Sequence, residues 1–213
     1  MNSPAAHWPV HVLGAPTEEL GFVDGNPLLD ADWQLPPSSL VVAWSGSVSE
    51  ASLFQRDPHT WMSAGREAFD DFLRRIAPEL TAREQRLLLR PHARHVLCDP
   101  QRCLSFLREL DEDAPFGIAL DAGAMLEDEM LSKVEDHLER AFEALGRRVH
   151  VVVATDVARS SGDDPLRPVP IGQGVLPVSL MGSLIRAHVP PTTPIVLLPE
   201  DPDQQVAALG LHG

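Results

Sequence analysis

His92, His95 and Cys98 form an H-x-x-H-x-x-C pattern inside Leu87–Ala124, LLLRPHARHVLCDPQRCLSFLRELDEDAPFGIALDAGA. Imidazoles and a thiolate are competent transition-metal ligands, so the pattern admits a metal site with His92 and His95 as ligands. The spacing matches no established zinc signature, and Asp99-Pro100 starts a helix within it. The second reading is therefore a loop histidine pair hydrogen-bonded to backbone. A nucleophile pair of Cys98 with His92 or His95 rests on proximity alone. Cys103 reads as a small core hydrophobe. The same stretch ends in an apolar run, Gly117–Leu120, that closes on Asp121 and small residues. A parallel α/β protein brings a polar group to its active face in this way.

Other chemistries find little support. Ser45-Gly46-Ser47 lacks the G-x-S-x-G elbow of a serine hydrolase. Gly172-Gln173-Gly174 is only G-x-G and does not follow a strand, so a dinucleotide fold is disfavoured. The net charge is −14, with acids clustered at Asp111–Asp113, Glu127–Glu129 and Glu135–Glu139. Such a surface repels phosphate backbones and anionic lipid, which excludes nucleic acid and membrane as expected partners. The N-terminus MNSPAAHWPVHVLG has neither a basic region nor a long apolar core, so no signal peptide is expected. Two cysteines in one local segment make no disulfide framework, and a cytoplasmic location is expected.

The elements that must position these residues alternate. Apolar, β-branched runs occur at Val10–Leu13, Leu40–Trp44, Arg86–Leu89, Gly117–Leu120, Val149–Ala154 and Ile195–Leu198, with a weaker one at Gly21–Val23. They are nearly continuous in hydrophobicity, as parallel strands covered on both faces are. Helical patterns lie between them at His59–Ile76, Asp99–Leu110, Glu127–Leu145 and Leu176–His188. Asp99 as N-cap with Pro100 behind it is a well-formed start, and Gly146 is a good stop. Asp163–Pro170 reads as an ordered loop. Alternation over 213 residues implies one parallel α/β domain, either a barrel or an open sheet.

From Leu40 onward the chain resembles the xylose-isomerase-like TIM barrels, the sugar phosphate isomerase/epimerase and AP-endonuclease-type superfamily. Leu40–Gly46, LVVAWSG, is similar to that family's fourth strand, which ends in His-x-Gly. Arg86–Pro91, RLLLRP, is similar to the fifth, ending Leu-Glu-Pro, and Gly117–Ala124, GIALDAGA, to the sixth, Leu-Asp-x-Gly-His. Val151–Asp156, VVVATD, resembles the seventh, His-x-Lys-Asp. Pro170–Gly174, PIGQG, resembles the Pro-Leu-Gly-x-Gly loop, and Ile195–Glu200 the last strand, which ends in Glu. The order and spacing of these short motifs carry the resemblance.

The resemblance implies a divalent metal (Mn, Mg, Co or Zn) at the mouth of the barrel, held by carboxylates and a histidine from strands five to eight. Position by position, that ligand set is broken. The strand-five Glu falls on Arg90, the strand-six His on Ala124, the strand-seven His on Val153 and the terminal Glu on Leu198. Asp121 keeps the strand-six Asp, Asp156 follows strand seven, and Glu200 lies two residues beyond Leu198 as a shifted ligand. The expected site is thus Asp121, Asp156, Glu200 and Arg90, with Asp121, Glu200, His92 and His95 as the metal-ligand candidates and no cofactor favoured. Arg90, paired bidentately with Asp121, would neutralise what the metal neutralises. The alternative for Asp121 and Asp156 is that they cap the loops or helices that follow. Trp44, at the strand-four His position, is either a sugar-stacking platform or packing, and His59 a cap or surface residue.

About forty residues precede the fourth-strand motif, too few for three ordinary strand–helix units. The expected fold is a TIM-barrel-like parallel α/β domain over 1–213, shortened or incomplete at its N-terminal side, with 1–39 atypical and 40–213 family-like. Open strand edges need cover, so a homodimer or a partner protein is expected, with a carbohydrate as possible ligand. Two functions compete. One is a degenerate barrel without the metal site, serving as a binding or assembly subunit. The other is an active sugar (phosphate) isomerase or epimerase with a rearranged site.

Overall fold

The computed structural model describes residues 8–211; the first seven residues of the atypical N-terminal segment lie outside them. The chain divides into two compact units, Gly14–Ala119 and Met1–Leu13 with Leu120–Gly213.

In the Gly14–Ala119 unit, β2 (Leu20–Val23), β3 (Leu40–Trp44), β4 (Arg86–Arg90) and β5 (Phe116–Leu120) pair in that order, all parallel. The central strands are covered on both faces: Val41, Leu87, Leu88, Leu89 and Ile118 are fully buried. This explains why their sequences do not alternate. Helix α1 (Ser63–Ala82) turns Phe69, Phe72, Ile76 and Leu80 inward at helical spacing and packs on β4. A 3-10 turn, Pro58–Trp61, precedes it, capped by Asp57. The sequence pattern ends at Ile76, yet the helix runs on through Pro78 to Ala82. Pro78 lies on the exposed side, where water can satisfy the carbonyl its ring leaves unbonded. Helix α2 (Pro100–Glu109) starts as expected, Asp99 Oδ1 accepting from the Arg102 N–H at 2.8 Å. Phe69 and Phe106 meet edge to face at 5.6 Å and join α1 to α2.

In the other unit, β1 (Val10–Val12) and β6 (Val151–Val153) flank β9 (Ile195–Leu197), again parallel. Glu127–Leu145 is a 3-10 turn, Asp128–Lys133, followed by α3 (Val134–Leu145), rather than one helix. Glu127 N–H bonds the Met130 sulfur and tightens that first segment. Asp163–Pro170, expected to be loop, contributes β8 (Arg167–Val169), which pairs antiparallel with β7 (Asp156–Ala158). Helix α4 (Val178–His188) begins after Pro177 and packs on α5 (Pro202–Leu209). A side chain at Gly182 would overlap the Leu209 carbonyl, so that contact requires glycine. Parallel strands joined by helices in both units make a TIM-barrel-like α/β architecture.

Candidate functional site

β3 and β4 run in register, Trp44 opposite Arg90, so both final side chains leave the sheet at one level. The Arg90 guanidinium lies 3.9 Å from the Trp44 ring centroid, and Arg90 is only 6% exposed. Beyond Arg90 the chain folds back over the β3 exit, with Val96 N–H donating to Gly46 O at 3.0 Å. This brings His92 and His95 to within 4.8 Å of each other, ring to ring. Trp44 packs edge-on to both, and Phe54 stacks on His95 at 5.4 Å. The result is an aromatic cluster beneath a stacked cation. Nothing in the polar surroundings of Phe54 marked it in the sequence.

His92 Nδ1 accepts the Arg94 N–H at 3.1 Å, which assigns the ring proton to Nε2. In that tautomer the single imine lone pair of His92, on Nδ1, is already engaged by the Arg94 N–H. His95 is fully buried, and neither ring nitrogen has a hydrogen-bond partner; the Leu53 backbone faces it short of hydrogen-bond geometry. Burial above all, with His92 and Arg90 nearby, holds its pKa well below the ordinary imidazole range, so it is neutral.

Burial and the adjacent Asp99 carboxylate push the Cys98 thiol up to about 12. Asp99 Oδ2 accepts from that thiol at 3.5 Å. Burial likewise pushes Cys103 up. Reactive cysteines need the opposite environment. His59 is exposed and bonded to Asp57, a surface role.

In the second unit, Asp121 follows β5 and is fully buried. Its Oδ1 accepts from Ala124 N–H at 3.0 Å and from the Thr155 hydroxyl at 3.1 Å. Asp156, also fully buried, accepts four backbone N–H groups: Val157 and Leu176 on Oδ1, Gly172 and Gly174 on Oδ2, at 2.8–3.2 Å. Four bonds fill the lone-pair sites of a carboxylate. Asp156 therefore clamps the Pro-Ile-Gly-Gln-Gly loop, and Gly174 leaves no room for a side chain against it. Gln205 pins the same loop through Ile171 N–H and ties it to the Leu198 and Glu200 carbonyls. Glu200 itself is exposed. Thr155 and Gln205 had no motif to announce them; Asp121, which Thr155 meets, and Ile171, which Gln205 meets, each lie 34 residues away in the chain.

A divalent ion needs several oxygen or imidazole ligands converging on one point. Among the described residues no group of three or more His, Cys, Asp or Glu is placed to hold one. Asp156 has no free lone pair, Val153 is an apolar buried residue, and Arg90, at the end of β4, is a cation. The residues present do not fit a divalent ion. Nor is any helix among the described residues long and apolar enough to cross a membrane.

No curated protein matches this chain in sequence. Among solved structures, it is similar to a xylose isomerase-like TIM barrel protein from Mycobacterium smegmatis in complex with magnesium (11% identity, TM-score 0.51, 82% of this chain and 61% of that one). It is also similar to a D-tagatose 3-epimerase-like protein (15%, TM-score 0.53, 82% and 60%). A third is the probable 3-DHS dehydratase AsbF of Bacillus anthracis, involved in petrobactin synthesis (13%, TM-score 0.54, 82% and 63%). At these identities the likeness shows the fold alone, and the chain spans about three fifths of those proteins' length. The family model described as xylose isomerase-like TIM barrel matches residues 34–196, which takes in Trp44, Arg90, Asp121 and Asp156 together. On that match, the chain belongs to the xylose isomerase-like TIM barrel family.

Proposed function

We propose that this chain is a xylose isomerase-like barrel that does not assemble a divalent-metal centre and works as a binding or assembly subunit. The observation that carries this reading is the state of the two buried strand-end carboxylates. Asp121 and Asp156 accept hydrogen bonds from their own chain, and Asp156 is saturated by them. Metal-assisted isomerisation needs carboxylates turned toward the ion and the substrate. Arg90, stacked on Trp44, adds positive charge where a metal ligand would stand.

A partner chain, either a second copy or a dedicated protein, fits the assembly role. Among the described residues β2 hydrogen-bonds a neighbouring strand only through β3, and such edges invite pairing. A carbohydrate is the ligand class that the family resemblance suggests. Elemental analysis of the purified protein, together with its oligomeric mass, tests the reading. A metal-free dimer or hetero-complex is expected. A stoichiometric divalent ion whose binding is lost in Asp121→Asn would instead support an active isomerase or epimerase.

A further inference from the structure

Between α1 and α2 lies a cavity of about 420 Å³, built from the two helices and the loop before α2 rather than from strand ends. Its size falls within the roughly 300–1,000 Å³ typical of small-molecule sites. The floor is apolar: Phe69 and Phe106 in edge-to-face contact, with Leu73 and Leu97 beside them. The rim is polar and asymmetric.

At one side Arg66 bridges the helices, its Nε on Asp70 and its Nη2 on Glu109, which leaves that side with one more carboxylate than cation. These carboxylates hold the Arg66 pKa above its ordinary value. At the other side Arg102 has no carboxylate within ion-pair distance among the described residues. Its Nη2 donates to the Trp61 carbonyl at 2.8 Å, which orients the guanidinium and leaves further N–H groups available. Asp99, whose oxygens accept the Arg102 backbone N–H and the Cys98 thiol, makes no ion pair with the Arg102 guanidinium. Ser105 follows one helical turn later and also lines the cavity.

We propose that this cavity binds a small amphipathic carboxylate, its apolar body over Phe69 and Phe106 and its carboxylate on Arg102 and Ser105. A charged head on Arg102 and an apolar tail on the floor account for both halves of the lining. The proposal stands independently of whether the strand ends hold a metal.

Calorimetric titration with sodium octanoate and with 1-octanol tests it. Octanoate should bind the wild type one to one and bind Arg102→Gln at least about tenfold more weakly. Binding of 1-octanol should be the same in both. Leu73→Trp, which fills the floor, and Ser105→Trp, which blocks the rim, should each abolish binding of both, with circular dichroism confirming the fold. Octanoate that binds Arg102→Gln as tightly as the wild type, that still binds both tryptophan variants, or that fails to saturate the wild type by about 10 mM would overturn the proposal.

Discussion

The Arg90 guanidinium lies 3.9 Å from the centroid of the Trp44 ring, the two residues being cross-strand partners at the ends of β3 and β4. A buried guanidinium stacked on indole gains about 2 kcal/mol from the cation–π contact, beyond the packing of the ring. Trp44 also touches Phe54, His92 and His95, so it supports the whole cluster. Trp44→Ala should lower stability by about 3 kcal/mol, read from the midpoint of urea unfolding. Trp44→Phe should lose less than half of that. A loss below about 1 kcal/mol in Trp44→Ala would mean that the cluster does not hold Arg90.

The clamp formed by Asp156 makes a sharper demand. Asparagine has one acceptor oxygen in place of two, so Asp156→Asn leaves two of the four N–H groups without their acceptor. Each orphaned group costs about 1–3 kcal/mol, giving a loss of roughly 3 kcal/mol or more. Amide hydrogen exchange at Gly172, Gly174 and Leu176 should accelerate most. Unchanged protection at those amides would show that the loop is held by something else.

His95 contributes to the acid side of the stability curve. Its folded-state pKa lies well below the ordinary 6.5 of an unfolded chain. Above pH 6.5 both states are neutral there and its contribution is constant. Below it the unfolded chain takes up a proton that the folded chain refuses, so stability falls, by up to about 1.4 kcal/mol per pH unit. The loss continues until the depressed folded value is reached. His95→Phe should remove this part of the slope between pH 6.5 and 5 and should not destabilise the protein at pH 8, because it deletes two unpartnered nitrogens. Parallel stability curves for wild type and variant would contradict the assignment.

Cys98 should be a poor nucleophile. With its thiol pushed up to about 12, the thiolate fraction at pH 8 is very small. Alkylation of the native protein by iodoacetamide should be at least ~100-fold slower than that of the urea-unfolded chain. Equal rates would point to an exposed, reactive thiol.

Much of the frame was legible in the order of residues. The apolar runs at Leu40–Trp44 and Arg86–Leu89 became β3 and β4 because continuous hydrophobicity suits strands buried on both faces. Asp99-Pro100 announced α2, and Asp201-Pro202 begins α5 with the same cap, a signal that a search for long amphipathic patterns passes over. The β7–β8 hairpin was hidden because its strands are three residues long and one carries Pro168. Asp156 opens β7, a strand of that hidden hairpin, whereas Arg90 and Asp121 could be placed at strand ends from their motifs. Their surroundings could not, since Asp121 meets Thr155 and Asp156 meets Gly174 only through tertiary folding. A carboxylate on display and a carboxylate spent on backbone look alike in sequence.

Titration of the metal-stripped protein with Mn²⁺, followed by calorimetry, bears on the whole reading. With Asp156 saturated and a cation, Arg90, at the end of β4, no binding heat and no rise in melting temperature are expected. Stoichiometric Mn²⁺ binding with a micromolar or tighter constant, lost in Asp121→Asn, would contradict it.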